Sequence, residues 1–147
     1  MAKIEKLSSA DSPVFIDTSG FFALLSSHDP AHQAARERMN HFARTRRPAV
    51  TTDYVVDETF SLLKARGLRH LSPVLRNLIL TSKSLRLEWT EPSHFTATAD
   101  FFLKHLDQDF SFTDCRSFVL MREYKLRDAL TTDKHFTNAG FRALLAE

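Results

Sequence analysis

The sequence predicts an α/β fold in which a parallel sheet is covered by helices on both faces. Three observations lead there. Short buried strands alternate with helical patterns along the whole chain, the arrangement that places helices on both sides of a parallel sheet. A hydrophobic content of 43%, including 13 phenylalanines, supplies a sizeable core for a chain of 147 residues. Only three glycines occur, with no repeat, low-complexity tract or linker, so one domain is expected over residues 13–147.

The elements follow in order. Residues 1–12 read as a polar lead-in. Pro13 precedes Val-Phe-Ile, a buried strand ending at Asp17, and Phe21, Phe22, Leu24 and Leu25 continue as a helix. Asp29-Pro30 has the form of an N-cap followed by the first helical position, and a polar helix runs from there to about Arg44. PAVTT (48–52) is the second strand; Asp53 caps a helix through Ala65 that Gly67 ends. Leu71–Leu80 forms another helix, beginning near Ser72-Pro73. Leu85–Trp89 alternates with period two, the mark of a third, less buried strand. Glu91-Pro92-Ser93 opens a helix to about Leu106, and Ser111 opens one to Tyr124. DALTT (128–132) is a fourth strand and Phe141–Leu145 a short fifth.

The bulk composition narrows the function. A single cysteine, Cys115, excludes an internal disulfide and any four-thiolate zinc site. The first residues lack the apolar core of a signal peptide, and no apolar run approaches the roughly 20 residues that span a bilayer. A cytoplasmic protein that does not contact membrane is therefore expected.

Four acids stand out: Asp17, Glu58, Asp114 and Asp133. Three occupy junctions between an apolar run and a helix start, in VFIDTSG, SFTDCRSF and ALTTDKHF. Asp17 and Asp133 both lie just past strand ends, on one sheet edge, where parallel sheets gather their chemistry. Asp114 opens a helix entering from that edge. Glu58 interrupts an apolar helical face between Val55 and Leu62, where an unpaired carboxylate is costly. Carboxylates sharing one cleft repel each other unless a hard cation neutralises them, and Mg²⁺ or Mn²⁺ prefers such oxygen ligands. Counting the four acids out of the formal charge of +2 leaves +6. An acidic pocket in an otherwise basic chain suits a polyanionic substrate and phosphodiester chemistry.

Each acid also has a plain structural reading. Asp17 and Asp133 can cap the helices that follow them, and Ser111 to Asp114 has the form of a capping box. Arg66 or Arg69 can pair with Glu58. Thr18 and Ser19 can fix the angle of the Asp17 carboxylate. Other constellations are weaker: Pro30 separates His28 from His32, no Ser-His-Asp or Cys-His unit is present, and Gly20, Gly67 and Gly140 are too isolated for a phosphate loop. Arg44, Arg46 and Arg47, or Lys64, Arg66 and Arg69, are candidate phosphate contacts. Phe110 and Phe112 are candidates for stacking on single-stranded RNA.

From Val14 to Ala143 the chain resembles PIN domains, above all the VapC-type toxin ribonucleases. The resemblance rests on VFIDTSGFFALL, TTDYVVDETFSLL and DFSFTDCRSFVLMREYKLRDALTTDKHFTNAGF. It implies a three-layer α/β/α sandwich with five parallel strands in the order 3-2-1-4-5. It also implies a Mg²⁺- or Mn²⁺-dependent endoribonuclease whose four acidic positions fall on Asp17, Glu58, Asp114 and Asp133. Thr18, Thr113 and Asp109 match supporting positions. Cys115 departs from the alanine common in relatives and reads as packing. A small antitoxin partner and a homodimer are implied as well; the apolar stretch Leu71–Leu80 is a candidate contact surface, or a helix that packs on its own core. The same resemblance covers a housekeeping RNA-processing enzyme, or an inactive RNA- or protein-binding module. A phosphoacceptor receiver domain would want adjacent acids after its first strand, where Thr18-Ser19 stand. A haloacid-dehalogenase-like phosphatase would want Asp where Ser19 is.

Overall fold

The computed structural model describes residues 12–146. The expected lead-in therefore lies outside the described residues, apart from Ser12. Ser12 is buried, and its carbonyl accepts a 2.6 Å hydrogen bond from Arg47 Nε.

The elements run β1 (Val14–Ile16), α1 (Thr18–Leu25), α2 (His32–Arg44), β2 (Ala49–Thr52), α3 (Asp53–Ala65), a single 3-10 turn (Arg69–Leu71), α4 (Ser72–Thr81), β3 (Leu85–Glu88), α5 (Pro92–Lys104), α6 (Phe112–Glu123), β4 (Asp128–Leu130), α7 (Lys134–Asn138) and β5 (Arg142–Ala143). All strand pairs are parallel, in the order β3-β2-β1-β4-β5, which is the order the family resemblance implied. The chain steps from β1 through β2 to β3 in one direction, then continues with β4 and β5 in the other. Right-handed crossovers then place α1–α4 on one face and α5–α7 on the other. β1 and β4 meet where the direction reverses. Their register sets Phe15 beside Ala129 and Ile16 beside Leu130, so Asp17 and Thr131 leave the sheet next to each other. A crevice opens at such a switch point.

The core explains why these short strands hold. Val14, Phe15 and Ile16 are fully buried, and burial of each side chain contributes about 1.5–3 kcal/mol. On the α5–α7 face, Phe118 packs edge-on to Phe136 (4.9 Å between ring centres) and to Phe110 (5.0 Å). Phe136 in turn lies 6.1 Å from Phe15. Phe110 is therefore core, not an exposed stacking platform. Phe112, the other stacking candidate, is half-buried, 6.1 Å from Tyr54 and 5.7 Å from the exposed Phe95. On the other face, α1 lies so close to β4 that a Cβ on Gly20 would overlap the Leu130 carbonyl oxygen.

Several local expectations are corrected. The second helix starts at His32 instead of just after Asp29, because the Asp29 carboxylate accepts the Ala31 amide (2.8 Å) in the turn before it. Thr52, not Asp53, caps α3, its hydroxyl accepting the Val55 amide at 3.1 Å. Asp53 is instead engaged by the Thr90 hydroxyl (2.6 Å), which also accepts from the fully buried Arg116 Nε (2.8 Å). The fourth strand stops at Leu130, two residues early, because Thr131 and Thr132 turn towards Asp17 and Ser19 at the start of α1. At the opposite edge, Arg47 pairs with Asp128 at 2.9 Å and ties the start of β2 to that of β4. Arg47 is thus occupied. The basic run containing it precedes β2, on the sheet edge away from Asp17.

Candidate metal centre

Asp17 is the first residue past β1 and only 4% exposed. It stands at the N-cap position of α1, yet its side chain caps nothing. Instead Oδ2 accepts a 3.0 Å hydrogen bond from the Thr131 hydroxyl, with Ser19 Oγ at 3.5 Å. Thr131 is a fully buried hub: its Oγ1 also lies 2.9 Å from Ser19 Oγ and accepts the Asp133 amide at 3.0 Å. One hydroxyl thus fixes the ends of β1 and β4 relative to each other. The Thr18 side chain does not orient Asp17. It faces α3, where the Thr59 hydroxyl lies 3.4 Å from its own.

Asp114 and Asp133 both carry the capping roles their sequences suggest. Ser111 Oγ accepts the Asp114 amide and Asp114 Oδ2 accepts the Ser111 amide, each at 3.0 Å, closing the capping box of α6. Asp133 Oδ1 accepts the His135 amide at 2.8 Å and caps α7. Capping leaves lone pairs free on both carboxylates. Oxygens of Asp114 and Asp133 and a ring nitrogen of His135 all lie within 4.8 Å of one another.

Electrostatics ties Asp17 to this group. Burial above all, with the charges of Asp114 and then Asp133, pushes its carboxyl up from 3.8 to about 7, against the lowering hydrogen bonds from the Thr18 amide and the Thr131 hydroxyl. Asp114 is raised too, first by burial and then by Asp133, while bonds from Ser111 and the nearby His135 oppose the rise. Among the described residues, no lysine or arginine lies within ion-pair distance of Asp17, Asp114 or Asp133. The chain itself leaves this negative charge uncompensated by any fixed cation. Asp114 and Asp133 oxygens held close together, beside a buried Asp17 carboxyl that feels the charge of both, are the environment a divalent ion relieves.

The other expected residues fall as follows. Glu58 is half-buried on α3, next to Thr59, and neither Arg66 nor Arg69 pairs with it; Arg66 lies over the Phe22 ring, 5.1 Å from its centre. Neither Glu58 nor Asp17 is in the tight donor group, although Asp17 lies near enough to feel the charges of Asp114 and Asp133. Thr113 is half-buried and only its backbone carbonyl is engaged, by Ser117 Oγ at 3.1 Å. Asp109 is exposed, its carboxylate 4.0 Å from His135 Nε2. Cys115 is fully buried, and burial with the Asp114 charge pushes its thiol up to about 11, which leaves it an uncharged packing group. His32 Nδ1 sits 2.7 Å from the Ala23 carbonyl, and His32 is not part of the donor group. Sequence reasoning missed Thr131 and His135. The one available signal was their position, two residues either side of Asp133.

Comparison with known proteins agrees with the fold. The model of the PIN domain family matches residues 14–142. The chain is 29% identical over 128 residues to the "23S rRNA-specific endonuclease VapC20" of two Mycobacterium tuberculosis strains, covering 87% of this chain and 95% of the relative. The crystal structure of M. tuberculosis VapC20, described as a "Sarcin-Ricin loop cleaving toxin", superposes with a TM-score of 0.77 at 26% identity. That match spans 88% of this chain and 96% of the other.

Proposed function

The chain belongs to the PIN domain family, and on that premise we propose that it is a divalent-metal-dependent endoribonuclease acting as the toxin of a toxin–antitoxin pair. The observation that carries this is the close group of Asp114, Asp133 and His135 donors beside the buried Asp17 carboxylate at the β1/β4 switch point, with no lysine or arginine among the described residues paired to these acids. Asp17, Asp114 and Asp133 would hold Mg²⁺ or Mn²⁺, with Glu58 reaching the site directly or through water. Once bound, the ion supplies Lewis acidity: it lowers the pKa of water and offsets charge on the phosphate.

The residues of the chain do the rest by being fixed in advance. Thr131 holds Asp17, Ser111 holds Asp114, and the His135 amide holds Asp133. None has to reorganise as negative charge builds up on the scissile phosphate. Water attacks phosphorus in line, and the bond to the 3′ oxygen breaks. The products carry a 5′-phosphate and a 3′-hydroxyl, with no covalent protein intermediate.

The VapC20 relatives act on 23S rRNA, so ribosomal RNA is the first substrate to test. Phe95, Phe112 and Tyr54 cluster where α3 and α6 begin, beside Asp114, and offer unpaired bases a stacking surface. For a homodimer, α4 is the candidate contact: Leu75 packs into the core while Val74 (51%) and Leu80 (65%) stay exposed. None of the described helices is long and apolar enough to cross a membrane.

The test is cleavage of end-labelled ribosomal RNA fragments with Mn²⁺. Wild-type protein cuts at discrete positions, and both EDTA and Asp114→Asn abolish cutting. Undiminished cleavage by folded Asp114→Asn overturns the assignment.

A further inference from the structure

The geometry points to a nitrogen ligand in this metal centre: His135 binds the ion through Nδ1, and Asp109 orients the ring from behind. The inference rests on the metal-dependent reading above and extends it to two residues outside the four acids.

The first support is an orphaned atom. His135 Nδ1 is buried and has no hydrogen-bond partner. It is nevertheless surrounded by carboxylate, with Asp133 Oδ1 at 3.2 Å and Asp114 Oδ2 at 3.5 Å. Its ring does not aim an N–H at either oxygen. Buried polar nitrogens are seldom left in that state without a missing partner. The second support is spacing. Adjacent ligands of an octahedral ion with bonds of about 2.1 Å lie about 3 Å apart. The two nitrogen–oxygen separations sit close to that value, so one ion can be shared by all three donors with small side-chain adjustments. The third support is the far side of the ring. A metal-bound histidine commonly gives its other N–H to a carboxylate, which fixes the tautomer and ring angle. Here Nε2 faces Asp109 Oδ2 at 4.0 Å, and the edge of Phe110, 5.9 Å away between ring centres, limits how far the ring can swing. Asp109 thereby gains a positioning role that its exposure alone would not suggest.

A nitrogen donor also alters selectivity. Imidazole favours first-row transition ions over Mg²⁺, whereas carboxylates serve both. The site should therefore discriminate more strongly for Mn²⁺ over Mg²⁺ than an all-oxygen centre.

Pulsed EPR of the Mn²⁺-loaded protein, prepared with natural and with ¹⁵N-labelled histidine, reads this directly. The expected result is nitrogen modulation that changes with the label and disappears in His135→Gln, while Mn²⁺ still binds more weakly and the ratio of Mn²⁺ to Mg²⁺ affinity falls. Asp109→Asn should keep the modulation and weaken Mn²⁺ binding about tenfold. Mn²⁺ that binds wild-type protein without histidine modulation, or modulation unchanged in His135→Gln, overturns the ligand assignment and leaves the metal centre standing. Unchanged affinity in Asp109→Asn overturns the role of that residue. If wild-type protein binds no Mn²⁺ at all, the metal-dependent reading itself fails.

Discussion

Replacing Asp17 by Asn should stabilise the metal-free protein, and the gain should grow with pH. The carboxyl of Asp17 is raised from 3.8 to about 7, chiefly by burial. Between those values the folded chain keeps a proton that the unfolded chain has released. Stability linked to this group is therefore fully present below about pH 4 and lost as pH rises towards 7. The interval from 3.8 to about 7, at about 1.4 kcal/mol per pH unit, corresponds to a loss of about 4 kcal/mol. That figure is a ceiling, because side chains and water relax around a buried charge. Asn keeps an oxygen that can accept from Thr131, and it does not ionise. In urea unfolding with EDTA, Asp17→Asn should gain about 1 kcal/mol over wild type at pH 5 and about 3 kcal/mol at pH 8. Saturating Mn²⁺ should reverse the order at pH 8, since an ion stabilises only the folded chain that binds it. Equal stabilities at pH 8, or a difference independent of pH, would refute the placement of an uncompensated buried carboxylate at this point.

Two further substitutions test the scaffold around it. Thr131→Val removes the hydroxyl that joins Asp17, Ser19 and the Asp133 amide. It should cost about 1–3 kcal/mol by chemical denaturation and weaken Mn²⁺ binding measured by calorimetry; wild-type affinity would show that Asp17 needs no such anchor. Gly20→Ala places a methyl group against the Leu130 carbonyl oxygen, a backbone atom that cannot swing aside. Thermal and urea unfolding should show a loss of about 3 kcal/mol or more, the upper end for overpacking, and unchanged stability would mean that α1 does not approach β4 as closely as described.

Much of this molecule was legible in its sequence, and the failures have identifiable causes. The strands are short apolar runs with no competing helical period, so β1, β2 and β4 could be placed within two residues. The order of strands is another matter. It depends on which runs pair at long range, and only the family resemblance supplied it. The sheet edge shared by Asp17 and Asp133 followed from their positions after strands, but their adjacency depends on β1 and β4 being neighbours. Local rules faltered where two good caps stand side by side. Thr52 and Asp53 both qualify, and a long-range bond from Thr90 draws Asp53 away. Asp29 does accept a backbone amide, but in a turn that delays the helix to His32. Phe110 could not be distinguished from an exposed aromatic, because its burial comes from Phe118 on the following helix. His135 has no second histidine at ligand spacing to mark it in the sequence, and its partners are carboxylates from α6 and from the loop after β4. Thr131 reads in sequence as an ordinary β-former at a strand end, and its three hydroxyl contacts exist only once the sheet has assembled.

The most direct test of the account is an anomalous difference map from a crystal soaked in Mn²⁺. The account predicts a manganese peak in the crevice past β1 and β4, within bonding distance of Asp17 and Asp114 oxygens and absent from Asp114→Asn crystals. A clear map with no peak there, or with manganese bound only at other acids, would contradict it.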